Sequence, residues 1–170
     1  MLIRNVNRSD REDIAEIYQA VAESMEGISR RPHEITDTYV YSLLNKKSTE
    51  IIFLVAVDED EQVVGAVHAI KNGLEMYNHI LTELTVLVKP ACQSNGIGRQ
   101  LAFAFLDHIF NQRPDVMRVE MEVNHNLERV KIYETVGFIQ EGLAKNRTRH
   151  VDGTFSDSVL MAWTNPNFVA

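Results

Sequence analysis

Cysteine is almost absent from this chain of 170 residues, which contains only Cys92. A single cysteine excludes an internal disulfide framework and suits a reducing compartment, so we expect a cytoplasmic protein. The first residues, Met1 to Val6, lack the apolar segment of a signal peptide. No apolar run approaches the ~20 residues that span a bilayer, so we expect no membrane partner.

An excess of basic residues is also missing. The chain has 17 Lys and Arg against 24 Asp and Glu, a formal net charge of −7. This balance argues against nucleic-acid binding, which needs a broad basic face. An acidic chain could suit a cationic amine, or its charge could simply aid solubility. The six histidines show no metal-ligand spacing, so we expect no metal.

Apolar residues make up 45% of the chain and charged residues 24%, which is ordinary for one globular domain over residues 1–170. Within it, an apolar stretch ends at Lys89 and Pro90, and a helical apolar pattern starts at Ile97. The turn between them contains Gly96, and Gly98 follows. The first N–H groups of a helix lack intrahelical acceptors and attract anions. The pattern predicts a phosphate cradle, unless the glycines only permit tight packing.

Two common phosphate motifs do not fit this turn. Gly98 is followed by Arg99 and Gln100 where a P-loop has Lys-Ser/Thr, and Leu101 stands where a dinucleotide fingerprint has its third glycine. What remains, Gln93-x-x-Gly96-x-Gly98 after a valine-rich strand, resembles the pyrophosphate loop of the GNAT superfamily of N-acetyltransferases.

A second stretch, from Asn126 to Phe138, resembles the family's other signature, Asn-x-x-Ala-x-x-Leu-Tyr-Glu-x-x-Gly-Phe. It departs from that signature at Arg129 and Ile132, and both residues fit a helix. The two motifs stand in the family's order. The resemblance covers roughly residues 50–162, and the whole chain more loosely. It implies acetyl transfer from acetyl-CoA to a primary amine of a small molecule or peptide, by direct attack in a ternary complex.

The fold class implied is mixed α/β. Hydrophobic patterns along the chain predict the order β-α-α-β-β-β-α-β-α-β-β. The expected sheet is mostly antiparallel, has about six or seven strands and about four flanking helices, and contains a parallel crossover near residues 80–123. Leu2 to Val6 should form an edge strand, Ser9 or Asp10 should cap the first helix, and Gly65 should mark a bulge or close backbone approach.

The resemblance also implies which residues bind the cofactor. The backbone of the strand residues Val86, Leu87 and Val88 should hold the pantetheine arm and help polarise the thioester. Asn126 should contact that arm, or cap a helix, or both. The pyrophosphate should bind the turn formed by Gln93, Ser94, Asn95, Gly96, Ile97, Gly98 and Arg99.

For catalysis, Tyr133 matches the tyrosine that serves the family as general acid. We expect Glu83 to be the general base, directly or through water, because partial desolvation in an apolar strand would raise its pKa. Glu120 and Glu122 on the next strand are rivals for this role. Cys92 beside the turn is interpreted as a partly buried structural thiol, because direct transfer needs no nucleophilic cysteine.

Several alternatives stay open at this point. The chain could be a non-catalytic sensor of acyl-CoA, or an unrelated nucleotide-binding domain. The acceptor is not encoded in any motif. Arg30, Arg31 and His33 lie where the family lines its acceptor side, but we interpret them as solvated loop charges. Dimerisation is common in such families, so a homodimer is possible.

Overall fold

A computed structural model describes residues 1–24, 28–124 and 126–170. Their secondary structure follows the predicted order. The strands and helices are β1 (Leu2–Asn5), α1 (Arg11–Glu23), α2 (Asp37–Leu44), β2 (Ile51–Val57), β3 (Val63–Ile70), β4 (Ile80–Val88), α3 (Ile97–Gln112), β5 (Arg118–Asn124), α4 (Leu127–Val136), β6 (Ile139–Arg149) and β7 (Phe155–Thr164).

The strands follow the sheet order β1-β2-β3-β4-β5-β7-β6, which places β1 at an edge as predicted. Strand β2 pairs antiparallel with β1 and with β3, and β7 pairs antiparallel with β5 and with β6. The parallel pairing predicted for the crossover joins β4 to β5, at Ile80 with Arg118 and Leu81 with Val119. The mixed, mostly antiparallel fold class is therefore confirmed.

The residue contacts divide the chain into two compact units. Unit 1 comprises Met1–Ile70 and Thr85–Leu106, and unit 2 comprises Lys71–Leu84 and Asp107–Ala170. Strand β4 and helix α3 each contribute residues to both. A single domain over residues 1–170 stays a prediction. No helix in the described part of the chain is both long and apolar enough to cross a bilayer.

The core of unit 1 forms where α1 and α2 cover one face of β2 and β3. Helix α1 places its apolar residues three and four positions apart, which brings them to one face. All seven residues of β2 are buried. The main buried members of this core are Ile14, Ile17, Tyr18, Val21, Val40, Leu43, Phe53, Val55, Ala66 and Leu87.

The start of α1 differs from the prediction. Asp10 stands at the N-cap position of α1, but its side chain makes no cap hydrogen bond there. The side-chain cap is made upstream by Asn7, whose Oδ1 accepts from the Ser9 N–H at 2.9 Å. Asp10 reaches back to accept from the Asn7 N–H at 2.8 Å and pairs with Arg4 through two contacts of 2.8 Å. A one-turn 3-10 helix precedes α1, so the capping residue lies further upstream than the apolar pattern suggests.

Gly65 combines both features predicted for it. The β2–β3 register shifts beside its partner Ala56, so the strand carries a bulge. A Cβ at Gly65 would lie 2.9 Å from Leu101 Cδ1, 3.0 Å from the Leu87 carbonyl oxygen and 3.3 Å from Ile97 Cγ2. The absence of a side chain here therefore lets β3 approach both β4 and the first turn of α3.

Because the Leu87 carbonyl oxygen belongs to the backbone, it cannot move aside cheaply for a methyl group. We expect Gly65→Ala to lower the free energy of unfolding by about 1–3 kcal/mol, measured by urea denaturation. The matched control is Gly142→Ala in β6, where the new Cβ would meet only Leu160 Cδ1 at 3.9 Å. Equal stabilities of the two variants would show that the close approach at Gly65 is unimportant.

Candidate active site

In unit 1, the end of β4 leads through a one-turn 3-10 helix, Pro90–Cys92, into the predicted anion turn. Ser94 and Gly96 adopt left-handed backbone conformations, with φ of 66° and 75°. The first α-helical hydrogen bond of α3 runs from the Gln100 N–H to the Gly96 carbonyl oxygen, at 3.0 Å. The N–H groups of the helix residues before Gln100 therefore precede all intrahelical bonding and carry the positive end of the helix dipole.

The two glycines of this turn serve different purposes. At Gly96 a Cβ would find its nearest neighbour, Gln100 Nε2, 4.0 Å away, so the left-handed φ rather than lack of space favours glycine. At Gly98 a Cβ would lie 3.5 Å from Val88 Cγ2 and 3.8 Å from Val86 Cγ1, which is ordinary contact. The space at Gly98 would therefore accept an alanine.

One hydrogen bond ties the turn to β4, and contacts with β3 and α1 hold Lys89, which precedes the turn. The Gln93 side-chain amide donates to the Val88 carbonyl oxygen at 3.2 Å. The Lys89 N–H donates to the Val64 carbonyl oxygen of β3 at 2.9 Å, and the Lys89 ammonium pairs with Glu16 of α1 at 3.2 Å. These contacts fix the turn against the strand that precedes it. The predicted cofactor residues of positions 86–88 and 93–99 are therefore brought together.

Exposure varies around this turn. Leu87 is buried in the core, and Val86 and Val88 are half-buried. Ser94, Asn95 and Arg99 are exposed, as a surface that meets a charged ligand requires. Cys92 is half-buried, as expected for a structural thiol.

In unit 2, α4 carries the second motif. The Asn126 side-chain oxygen accepts from the Glu128 N–H at 3.0 Å and the Arg129 N–H at 3.2 Å. Of the two roles considered for Asn126, the helix cap is thus confirmed, and the cofactor contact stays a prediction. The helix ends at Gly137, whose φ of 109° and N–H bond to the Glu134 carbonyl are typical of a glycine that terminates a helix.

Tyr133 lies half-buried on α4, with its ring edge against Phe138 at a centroid distance of 6.0 Å. Burial raises the pKa of Tyr133 to about 12, although the nearby Arg129 charge acts in the opposite direction. The phenol therefore keeps its proton at neutral pH. Among the described residues, no group forms a hydrogen bond with its hydroxyl.

The carboxylates predicted as candidate bases lie in different surroundings. Glu120 pairs with Arg118 at 2.7 Å, and Glu122 pairs with Arg147 at 2.8 Å. Glu83 is exposed, so the partial desolvation expected for it is wrong. Its φ of 57° interrupts the extended conformation of β4, two residues after the last β4–β5 pair at Leu81. The catalytic role of Glu83 stays a prediction.

Sequence reasoning missed one group of polar residues in unit 1. Arg30, interpreted above as a solvated charge, is half-buried and lies over the Tyr39 ring at 4.1 Å from its centroid. The neighbouring Tyr18 hydroxyl and His68 Nδ1 form a fully buried hydrogen bond of 2.8 Å. The sequence signal that could have revealed this group is His68, a histidine inside the otherwise apolar strand β3. Its partners come from distant positions, which no local pattern reveals.

The cofactor turn thus belongs to unit 1, whereas Glu83, Asn126 and Tyr133 belong to unit 2. Among the described residues, no cluster of three or more histidine, cysteine or acidic side chains could hold a metal ion.

Comparisons with solved structures support this fold. A ribosomal-protein-alanine N-acetyltransferase from Brucella melitensis superposes with a TM-score of 0.85 at 22% identity, over 96% of this chain and 99% of that one. A putative acetyltransferase from Salmonella typhimurium, crystallised with acetyl-CoA, gives a TM-score of 0.86 at 20% identity, over 100% and 96% of the two chains.

Sequence comparison identifies a curated relative and a family. The mycothiol acetyltransferase of Renibacterium salmoninarum is 30% identical over 91 residues, which are 51% of this chain but only 25% of that protein. The family model described as an acetyltransferase (GNAT) domain matches residues 19–152. Because this match covers well over half of the chain, the protein belongs to the GNAT family of acetyltransferases.

Proposed function

We propose that the protein is an N-acetyltransferase that moves an acetyl group from acetyl-CoA to a primary amine of a small molecule or peptide. The observation that carries this proposal is the turn at the start of α3. There the first helical bond begins only at Gln100, and Gly96 leaves the preceding N–H groups uncovered. A diphosphate is the anion that such a turn suits in this family.

The strand before the turn supports the same assignment. The side chains of Val86 and Val88 lie against Gly98, so this segment of β4 leads directly to the anion turn. We assign the backbone amides of Val86 and Val88 to the pantetheine arm, which would bind like an added strand. Bound in this way, acetyl-CoA supplies an activated thioester. The same backbone groups would stabilise the negative charge that develops on its oxygen.

In the proposed reaction, a neutral amine attacks the thioester carbonyl carbon directly, in a ternary complex. A C–N bond forms and the C–S bond breaks. The proton that the attacking nitrogen loses as the amide forms ends on the departing sulfur, so the products are an acetamide and the free thiol of CoA. The proton that leaves the acceptor ammonium passes to a base. We assign this role to Glu83, acting directly or through water, because it lies on β4 five residues before Val88, whose backbone is assigned to the pantetheine arm.

Tyr133 would face the departing sulfur. Its pKa of about 12 lies above the usual ~8.5 of a thiol, so complete proton transfer from the phenol is uphill. The hydroxyl therefore contributes mainly the hydrogen bond that it donates while negative charge builds on the sulfur. A phenol that stays protonated across the neutral range can make this contribution at any working pH.

The anion turn is tested by two substitutions of nearly identical shape. Gly96→Asp and Gly96→Asn both tolerate a left-handed backbone, but only aspartate adds a negative charge. We expect Gly96→Asp to bind CoA at least about tenfold more weakly than Gly96→Asn, measured by calorimetry, because repulsion from the diphosphate costs on the order of 1–4 kcal/mol. Equal affinities would remove the turn from the binding site.

The role of Tyr133 is tested by Tyr133→Phe, which keeps the ring contact with Phe138 and removes only the hydroxyl. We expect the rate of thiol release from acetyl-CoA, with an amine acceptor, to fall roughly 100-fold while CoA affinity is unchanged. Weakened CoA binding with an unaltered rate would instead make Tyr133 a packing residue. Tight CoA binding by the wild type without transfer to any amine would identify a sensor rather than an enzyme.

A further inference from the structure

The cluster of Arg30, Tyr39, Tyr18 and His68 in unit 1 takes no part in the proposed chemistry. Tyr18 and Tyr39 meet edge to face at a centroid distance of 5.7 Å, and Tyr18 bonds His68 Nδ1 at 2.8 Å. Phe53 packs on the other side of His68, with ring centroids 5.2 Å apart. Arg30 completes the cluster by lying over Tyr39.

Arg30 is the only cation of this cluster. Burial, together with the charge of Arg30, lowers the pKa of His68 to about 3, so the imidazole stays neutral. Burial and the neighbouring Tyr39 raise the pKa of Tyr18 well above its usual value, so this phenol stays neutral as well. No negative charge within the cluster therefore balances the half-buried guanidinium.

Among the described residues, no carboxylate lies within ion-pair distance of the Arg30 guanidinium. Glu34, the described acidic residue nearest to it in sequence, accepts the Arg31 backbone N–H at 2.7 Å, and this bond lowers the pKa of its carboxylate. The charges of neighbouring basic residues, Arg30 among them, lower that pKa further. Glu34 therefore interacts with Arg30 at longer range, and no described carboxylate is bound to the guanidinium directly.

The geometry of the stack leaves Arg30 able to bind a ligand. The Tyr39 ring centroid lies 4.1 Å from Arg30 Cζ, and the N–H groups of a guanidinium lie in its own plane. Those N–H groups form the fork that matches a carboxylate through two parallel hydrogen bonds. Stacking also restricts the side chain, which lowers the entropy cost of binding.

The cluster lies close to the strand that would hold the thioester. Tyr18 shares a packed core with Leu87, the residue between Val86 and Val88. The Lys89 N–H bonds the Val64 carbonyl, so β3 starts beside the end of β4. The two strands are antiparallel neighbours, so residues that follow Val64 in β3 lie beside residues that precede Lys89 in β4. His68 therefore lies beside the part of β4 near Thr85.

From these contacts we infer that Arg30, held by the Tyr39 ring, binds a carboxylate of the amine acceptor. The acceptor class is then an amine that also carries a carboxylate, such as an amino acid, rather than a polycation. That the bound molecule accepts the acetyl group rests on the proposed function. Carboxylate binding at Arg30 can be tested separately, without acetyl transfer. Arg30 is a specificity residue, and the transfer chemistry is left to Glu83 as base and to the Tyr133 hydroxyl as hydrogen-bond donor.

The activity test uses a panel of L-amino acids, each paired with its carboxamide, which keeps the amine and removes the negative charge. We expect the wild type to prefer the acids. In Arg30→Gln, KM for the preferred acid should rise about 10- to 100-fold, with kcat and the KM of the carboxamide unchanged. Arg30→Lys should restore part of the loss, and Arg31→Gln, which changes an exposed neighbour, should behave as the wild type.

The binding test uses N-acetyl-L-amino acids and their carboxamides, titrated by calorimetry onto CoA-saturated protein. Binding of an acid by the wild type, lost in Arg30→Gln at unchanged melting temperature, supports the site. Failure of every acid to bind, or equal losses for acid and carboxamide, overturns the inference and leaves the cluster as core packing. Binding of an acid without any acetyl transfer would keep the carboxylate site and reject only the proposed acetyltransferase function.

Discussion

Helix α3 makes its first internal hydrogen bond from the Gln100 N–H to the Gly96 carbonyl. The backbone N–H groups before Gln100 therefore have no acceptor within the helix, and the packing around the turn leaves them uncovered. The left-handed backbone at Gly96 directs the chain into the helix without a side chain over those donors. Gln93 ties the turn to Val88, and the missing side chain at Gly65 lets β3 approach the same helix. An anion site made from backbone groups therefore requires three neighbouring elements to pack unusually close.

Several titratable side chains of this protein are kept neutral because they are buried. Tyr133 in unit 2 and Tyr18 in unit 1 are both kept protonated by desolvation, and His68 is kept neutral by the same cause. Such groups donate hydrogen bonds without introducing a charge that would need its own partner. The half-buried charge of Arg30 is the exception, since it has aromatic contact in place of a described carboxylate.

Sequence patterns predicted the elements of this fold well, because their causes are local. The bounds of β2, the start of α3 and the terminating Gly137 each follow from periodicity or from a glycine at a helix end. The cap by Asn7, by contrast, depends on a short 3-10 turn that leaves no periodic signal. In the site, the backbone turn was predictable from its glycines. The exposure of Glu83 and the stacking of Arg30 depend on tertiary packing, and sequence spacing does not encode it.

The division into units has a consequence for how this chain can be built or cut. Unit 1 takes residues from two separate stretches, and so does unit 2, with the changes falling inside β4 and inside α3. Each unit is completed only by chain that lies beyond a stretch of the other. A single cleavage therefore cannot leave both units complete. A cut after Leu106 keeps all of unit 1 but separates Lys71–Leu84 from the rest of unit 2, and a cut after Ile70 keeps all of unit 2 but separates Thr85–Leu106 from the rest of unit 1.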